Sequence, residues 1–525
     1  MKKYNRQGCY SLRARGILSA PGNPLNLIRV MPAQGAWPFT NRTLLGCGFF
    51  LFRRLIFPMI PQNEIRQTAI LPVSAGEVAQ MLSVARPLRR REAFALLKSL
   101  SPRRRLLPFE AACLLATDDP MVWEAAANVA RAVRDEVFGR RIVLFAPLYL
   151  SNECGNNCLY CGFRRENREA RRITLSPEAA AAEARFLERK GFNRLLLVCG
   201  EHPARTRPSY IADVLRAIYR GTGMRILHVN AAPMPVDGLR ALKEAGAGVY
   251  QVFQETYHPE TYAAMHPSGA KADYVWRLTC MDRAAEAGFG DVGIGALLGL
   301  YDYRFEVLSV LRHAEHLLET FGTFPHTISV PRFKKAFGSP LSAAPHPVSD
   351  AEFERIVIVY RLAIPSAGVV VTTREPAALR ERVLDIGASQ ISAGSKTDPG
   401  GYAEAVRRHE AEQFEVDDTR PMEEIVRMVL ARGYLPSLCT SCYRRRRTGD
   451  TFMEMALDGH IRDFCLPNAL LSLAEFAVST GDAGLREECL AAVRDGRKEM
   501  EGSPLMPEFD RKLAQAIDGG RDLHF

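Results

Sequence analysis

The sequence predicts an α/β protein built on a (β/α)8 TIM barrel, with a helical region before it and a helical extension after it. Eight short, β-branched, apolar runs recur between residues 142 and 393, and segments of helical period separate them. The runs are apolar almost throughout, which suits strands buried on both faces of a parallel sheet. The composition, 47% apolar and 24% charged over 525 residues, is that of an ordinary globular chain. It excludes a disordered, collagen-like or coiled-coil protein. An open doubly wound sheet is the alternative, and the count of eight repeats over roughly 250 residues favours the closed barrel.

Residues 1–63 form a basic leader with nine Lys/Arg and no Asp or Glu. Its composition resembles an organellar transit peptide. A membrane-surface segment and upstream sequence read in frame before Met59 are the other readings. The apolar stretch Leu44–Ile60 is split by Arg53-Arg54, so no membrane span is expected. Of the 69 basic residues, 60 remain outside the leader against 59 acids, so the main body is near neutral and nucleic acid is not an expected partner.

Residues 64–140 read as helical, with Ser74 placed to cap a helix at Gly76-Glu77 and breaks at Ser101-Pro102 and Asp119-Pro120. The barrel is expected over 141–396. Its strands are Ile142–Leu150, Leu195–Cys199, Ile226–Ala231, Val249–Gln254, Val292–Leu300, Thr327–Pro331, Val369–Thr373 and Gln390–Ala393. Helical segments between them are Pro177–Lys190 (capped by Ser176), Ser209–Arg220, Ala272–Ala287, Arg304–Phe321, Asp350–Ala363 and Glu375–Ile386. Residues 397–525 form the extension, with helical pattern at Met422–Arg432, Ala469–Val478 and Arg486–Val493.

Twelve cysteines are too few for a disulfide scaffold of this length, and six of them fall in two groups. Cys154, Cys158 and Cys161 form CxxxCxxC just after the first strand, at the catalytic face of a barrel. Three thiolates on one short loop suit three irons of a 4Fe–4S cluster, with the fourth iron open to a chelating substrate. Gly155, Gly162 and two Asn let the backbone wrap closely. Zinc would need a fourth ligand that nothing nearby supplies. Cys439, Cys442 and Cys465 form CxxCx22C. They read as a second three-thiolate cluster or as a zinc site completed by His460. Cys9, Cys47, Cys113, Cys199, Cys280 and Cys489 are isolated and read as core or incidental thiols. Thiolate clusters imply a reducing compartment, so the cytoplasm is expected, or an organelle if residues 1–60 are a transit peptide.

CxxxCxxC followed by Gly-Phe resembles the signature of the radical S-adenosylmethionine (SAM) superfamily. Leu195-Leu-Leu-Val-Cys-Gly-Glu201 resembles its second-strand element, which holds the SAM amino group. The match implies that role for Gly200 and Glu201, and cofactor contacts for Tyr160, Phe163, Asn230 and Glu255. The C-terminal CxxCx22C narrows the likeness to the HydG family, the radical SAM tyrosine lyases of FeFe-hydrogenase H-cluster maturation. Phe253-Gln-Glu-Thr-Tyr-His258, Met265-His-Pro-Ser-Gly269, Asp291-Val-Gly-Ile-Gly295, His326-Thr-Ile-Ser-Val-Pro-Arg332, Gln390-Ile-Ser-Ala-Gly394 and Cys442-Tyr…Arg447-Thr-Gly-Asp450 also read like that family. The resemblance covers residues 75–525 and leaves out the leader. The extension separates the chain from the thiamine-pathway tyrosine lyase and the tryptophan lyase.

The resemblance implies two 4Fe–4S clusters, the second with an additional iron, and SAM. It implies cleavage of L-tyrosine to p-cresol and dehydroglycine, conversion of the latter to carbon monoxide and cyanide, and an iron–carbonyl–cyanide synthon as product. Free cysteine, a ferredoxin or flavodoxin, and other hydrogenase maturation proteins are the implied partners. Arg374, just past the seventh strand, is the first candidate for the tyrosine carboxylate, because a guanidinium can pair it at two points. Ser392 and Ser395 are further candidates. Gln254, Glu255 and Tyr257 end the fourth strand and are expected to face the cavity. His326 and His316 are the candidate ligands of the additional iron, with His313 one turn from the latter. The run Arg444–Arg447 reads as a solvated basic face. A thiamine-type 2-iminoacetate synthase and a non-catalytic iron–sulfur scaffold are the competing functions. The intact first motif and Glu201 argue against the scaffold.

Overall fold

The computed structural model describes residues 71–403 and 409–525. The expectations for the leader 1–63, with Cys9 and Cys47, lie outside the described residues. Four helices come first: α1 (Ala75–Val84), α2 (Arg90–Ser99), α3 (Pro108–Leu115) and α4 (Pro120–Phe138). Ser74 caps α1, accepting from Glu77 N at 3.3 Å, and Asp119 caps α4 ahead of Pro120. α4 ends at Gly139, whose φ of 64° a side chain would disfavour.

The chain then lays down eight parallel strands: β1 (Arg141–Ser151), β2 (Arg194–Cys199), β3 (Ile226–Asn230), β4 (Ala247–Gln251), β5 (Val292–Gly295), β6 (Thr327–Ser329), β7 (Gly368–Val371) and β8 (Gln390–Ser392). Neighbours pair in sequence order, and β1 pairs with both β8 and β2, which closes the barrel. The strands are buried on both faces, as their apolar runs require. Among the helices between them are α5 (Pro177–Arg189), α6 (Pro208–Gly221), α7 (Val236–Glu244), α8 (Pro259–Met265), α9 (Tyr274–Leu278), α10 (Cys280–Glu286), α11 (Tyr303–Phe321), α12 (Asp350–Ala363) and α13 (Ala377–Leu384).

The extension holds α14 (Met422–Ala431), β9 (Leu435–Ser437), α15 (Ser441–Arg444), α16 (Gly449–Leu457), α17 (His460–Ser479), α18 (Ala483–Lys498) and α19 (Met506–Ile517). No described helix is long and apolar enough to cross a membrane.

Three details differ from the sequence reading. The expected helix Ala272–Ala287 is two helices broken at Thr279. The expected strand Val292–Leu300 stops at Gly295, after which only isolated bridges remain. A ninth strand was not expected: β9 pairs in parallel with the first three residues of β1, Arg141↔Leu435 to Val143↔Ser437. Three residues with a central proline are too short a run to read as a strand. Their effect is to fasten the extension to the N-terminal end of the barrel, opposite the mouth where the Cys154 loop lies.

Candidate active site and a second cysteine cavity

The loop after β1 is built by backbone closure. Gly155 N donates to Glu201 O and Gly200 N to Ser151 O, both at 2.8 Å. A Cβ at Gly200 would overlap Glu153 O, so the two strand ends approach only because residue 200 is glycine. Asn152 locks the far side, donating to Arg171 O at 2.7 Å and accepting from Ile173 N at 2.6 Å. The result brings Cys154, Cys158 and Cys161 to one cavity of about 180 Å³. Burial pushes all three thiols up, Cys161 to about 11, so loading metal there must displace protons. Among the described residues no three ligating side chains converge on a single ion. Three thiols sharing a cavity without such convergence fit a cluster, which offers each thiolate a different iron.

Beside the thiols lie two acids and two bases. Arg277 pairs with Glu201 at 2.8 Å and with Glu255 at 3.4 Å, and Lys271 pairs with Glu255 at 2.7 Å. Asn156 joins them, donating to Glu201 at 2.6 Å and accepting from Lys271 N at 2.8 Å. Burial alone would raise both carboxyls, but Arg277 and Lys271 hold Glu201 and Glu255 below the usual range. The predicted Tyr160, Phe163, Gly200 and Asn230 line the same cavity. The Tyr160 hydroxyl bonds His266 Nε2 at 2.8 Å, and the Lys271 ammonium stands 5.6 Å from its ring. Arg277, Lys271 and Asn156 were missed because single charged or amide residues in loops and short helices carry no periodic signal.

The opposite wall carries Arg374, Ser392 and Ser395. Arg374 lies 3.2 Å over the Phe414 ring and donates to Arg332 O at 3.4 Å. No described carboxylate pairs with it, and burial pushes its guanidinium down. The adjacent Glu375 is occupied by Arg332 Nε at 2.7 Å. Ser392 Oγ accepts from Thr373 N at 3.1 Å, and Ser395 Oγ is buried without a partner. A buried cation lacking an anion, next to a buried hydroxyl lacking a bond, is a binding site for a carboxylate.

Three predicted residues lie elsewhere. Gln254 and Tyr257 do not line the cavity: Gln254 is buried against Tyr274 O at 3.5 Å, and the Tyr257 hydroxyl bonds His313 Nδ1 at 2.9 Å. The cause is that β4 stops at Gln251 and Glu255 takes a left-handed φ of 71°, which turns 255 inward and its neighbours outward. His316 sits on α11 and pairs with Asp282 at 3.1 Å, lining neither cysteine cavity.

A second cavity, about 40 Å³, lies at the other end of the barrel and is lined by Cys439, Cys442, Cys465 and His326. Cys439 follows β9, Cys442 is on α15 and Cys465 on α17. Burial pushes Cys439 and Cys442 up, the latter to about 12. His326 shares a hydrogen bond of 2.9 Å with the Tyr443 hydroxyl, its Nδ1 has no bond, and burial pushes it down, leaving a neutral imidazole. His460 is exposed and outside this cavity, which removes it as a zinc ligand. Arg141 has the three thiols as its electrostatic neighbours, and Arg194 Nη2 donates to Cys439 O at 2.7 Å. Arg194 and Gln390 line both cavities. Glycines clear the bore between them. A Cβ at Gly293 would meet Thr327 Oγ1 at 2.6 Å, and one at Gly368 would overlap the Gln390 amide.

A closed parallel barrel whose first strand feeds a CxxxCxxC loop into a cavity at its mouth defines a radical SAM enzyme. Residues 148–314 match the radical SAM superfamily, and residues 329–435 match the Biotin and Thiamin Synthesis associated domain. The chain is 34% identical over 314 residues to the 2-iminoacetate synthase of Escherichia coli, spanning 60% of this chain and 81% of that protein. The crystal structure of HydG, a maturase of the FeFe-hydrogenase, aligns at a TM-score of 0.83 and 42% identity, covering 86% of this chain and all (100%) of that one. The HydG maturase of Carboxydothermus hydrogenoformans aligns at a TM-score of 0.74 and 38% identity, covering 84% and 97%. The chain belongs to the HydG family of radical SAM enzymes. That family membership implies a 4Fe–4S cluster and SAM at the first cavity, which its donor set fits.

Proposed function

We propose that this enzyme cleaves L-tyrosine to p-cresol and dehydroglycine, and converts the latter to carbon monoxide and cyanide for an iron–carbonyl–cyanide synthon. The observation that carries the reading is the pair of cysteine cavities at opposite ends of one bore, with Arg194 and Gln390 in the walls of both. An enzyme that only cleaved tyrosine would need the first.

When bound, the 4Fe–4S cluster and SAM supply a 5′-deoxyadenosyl radical, which takes hydrogen from the tyrosine amino group and so releases the Cα–Cβ bond. Cys154, Cys158 and Cys161 would hold the cluster. Glu201 and Glu255 suit the SAM ammonium, and Lys271 and Arg277 its carboxylate, so each charge of the ligand replaces part of an existing ion pair. Arg374 takes the tyrosine carboxylate and Ser395 Oγ completes it. The apolar strand walls exclude water from the reacting atoms. Dehydroglycine, HN=CH–COOH, divides into carbon monoxide, HCN and water. The second cavity would hold a further cluster on Cys439, Cys442 and Cys465. His326 would offer its nitrogen to an additional iron, carried as cargo with free cysteine. Arg141 and Arg194 would offset the negative charge of thiolates and cyanide. Other hydrogenase maturation proteins receive the product in a reducing, cytoplasmic setting.

The 34% identity to a 2-iminoacetate synthase favours a second reading, in which dehydroglycine is the released product. Anaerobic protein reconstituted with iron and sulfide, then given dithionite, SAM and L-tyrosine, separates the two. The first reading expects p-cresol, carbon monoxide and cyanide from the wild type. A Cys439→Ser/Cys442→Ser variant should keep p-cresol and lose carbon monoxide. Wild-type p-cresol without either diatomic would establish the second reading, and SAM cleavage without p-cresol would overturn both.

A further inference from the structure

We propose that the loop Arg164–Arg172, with the turn at Phe337, is the docking surface for an acidic one-electron carrier protein that reduces the first cluster. The proposal rests on the radical SAM reading and adds the place where the electron enters. The carrier loses one electron. SAM gains it, and its C5′–S bond breaks to methionine and the 5′-deoxyadenosyl radical.

The segment follows the third cysteine directly. Arg164 N donates to Cys161 O at 3.2 Å, so one short stretch of backbone links the thiol to the surface. The loop is held rigid from within. Arg172 donates to the carbonyls of Asn152, Phe163, Arg164 and Asn167 at 2.6–3.2 Å, and Asn167 Nδ2 donates to Gly162 O at 2.9 Å and Phe337 O at 3.0 Å. That scaffold points other side chains outward. Arg165, Arg168, Arg171 and Lys335 are exposed, and no described carboxylate pairs with any of them. The loop has five Arg against two Glu, one of which, Glu166, is already held by Arg164 at 3.2 Å. Glu169 and the nearby Glu410 leave a positive surface on a body that is otherwise near neutral. Next to it Phe337 is 41% exposed, one of few large apolar side chains so placed among the described residues. An apolar contact ringed by unpaired cations suits an acidic redox partner, since charge steers the encounter and the apolar contact gives it closeness.

The test uses the reconstituted holoprotein, an acidic flavodoxin as probe, and an Arg165→Glu/Arg168→Glu/Arg171→Glu variant. Calorimetry with oxidised flavodoxin should show affinity for the variant at least about tenfold weaker and a flatter salt dependence. SAM cleavage driven by reduced flavodoxin should fall with it, while cleavage driven by dithionite stays at the wild-type rate. Phe337→Ser alone should weaken binding without changing the salt dependence. Unchanged flavodoxin affinity in the triple variant overturns the proposal, as does equal loss of dithionite-driven cleavage, which would make the loop structural. An Arg445→Glu/Arg446→Glu variant at the far end of the barrel should bind flavodoxin normally, and its failure to bind would also overturn the proposal. Failure of the wild type to cleave SAM with dithionite would instead sink the radical SAM reading.

Discussion

Arg194 Nη2, on the second strand of the barrel, donates to the carbonyl of Cys439 at 2.7 Å, and its guanidinium lies over the Tyr443 ring. The barrel wall thereby holds the first thiol of the second cavity directly. Removing a buried charged donor to a backbone carbonyl is expensive. Arg194→Met is expected to lower the iron content of reconstituted protein toward that of the Cys439→Ser/Cys442→Ser variant, with p-cresol still formed. Iron content equal to wild type would rule out this support role.

Arg374 lacks a carboxylate partner in a buried setting, so it answers to whatever anion enters the cavity. Arg374→Lys keeps the charge and loses the paired geometry. The KM for tyrosine is expected to rise by roughly tenfold or more, about 1.4 kcal/mol, while SAM cleavage without tyrosine stays unchanged. A steady-state comparison of p-cresol release checks it. An unchanged KM would move the carboxylate site elsewhere.

Gly368 clears the bore beside Gln390. Gly368→Ala should push the Gln390 amide into the passage between the cavities. Tyrosine cleavage should continue while free cyanide accumulates relative to the iron-bound product. Equal partition in variant and wild type would show that the bore is wide enough to be indifferent to one methyl group.

Glu306 is fully buried, accepting from Thr256 Oγ1 and from Tyr257 N at 2.9 Å, and burial raises its carboxyl from 4.5 to about 8. Between those values the folded state keeps a proton that the unfolded state releases. Its contribution is therefore most favourable below about pH 4.5 and is lost, at about 1.4 kcal/mol per pH unit, as pH rises toward 8. Glu306→Gln should flatten stability against pH across that window. Urea midpoints of both proteins at several pH values read the difference, and parallel curves would refute it.

The barrel was legible because each strand is buried on both faces and writes its burial as an unbroken apolar run. The cysteines were legible because spacing on one loop is a local property. What escaped depends on backbone that sequence does not display. Tyr257 was expected in the cavity by extending β4 past Gln251, and the single left-handed residue Glu255 reverses that parity. His316 and His326 look alike as isolated histidines, and only the packing of α11 against Asp282 sends the first away. The Glu201–Arg277–Glu255–Lys271 network joins residues up to 76 positions apart, a separation at which no spacing rule operates.

The pairing of β1 with β9 has a consequence for engineering. One strand of 11 residues begins beside the segment leading to Cys439 and ends beside the segment leading to Cys154. At roughly 3.3 Å per residue it measures out some 33 Å, and no hinge interrupts it. The interval between the two metal-binding ends is thus gauged by a single length of backbone. A fragment carrying the extension, supplied on a separate chain, would have to find the same three-residue register on β1. A slip of one position would turn the thiols to the wrong side of the wall.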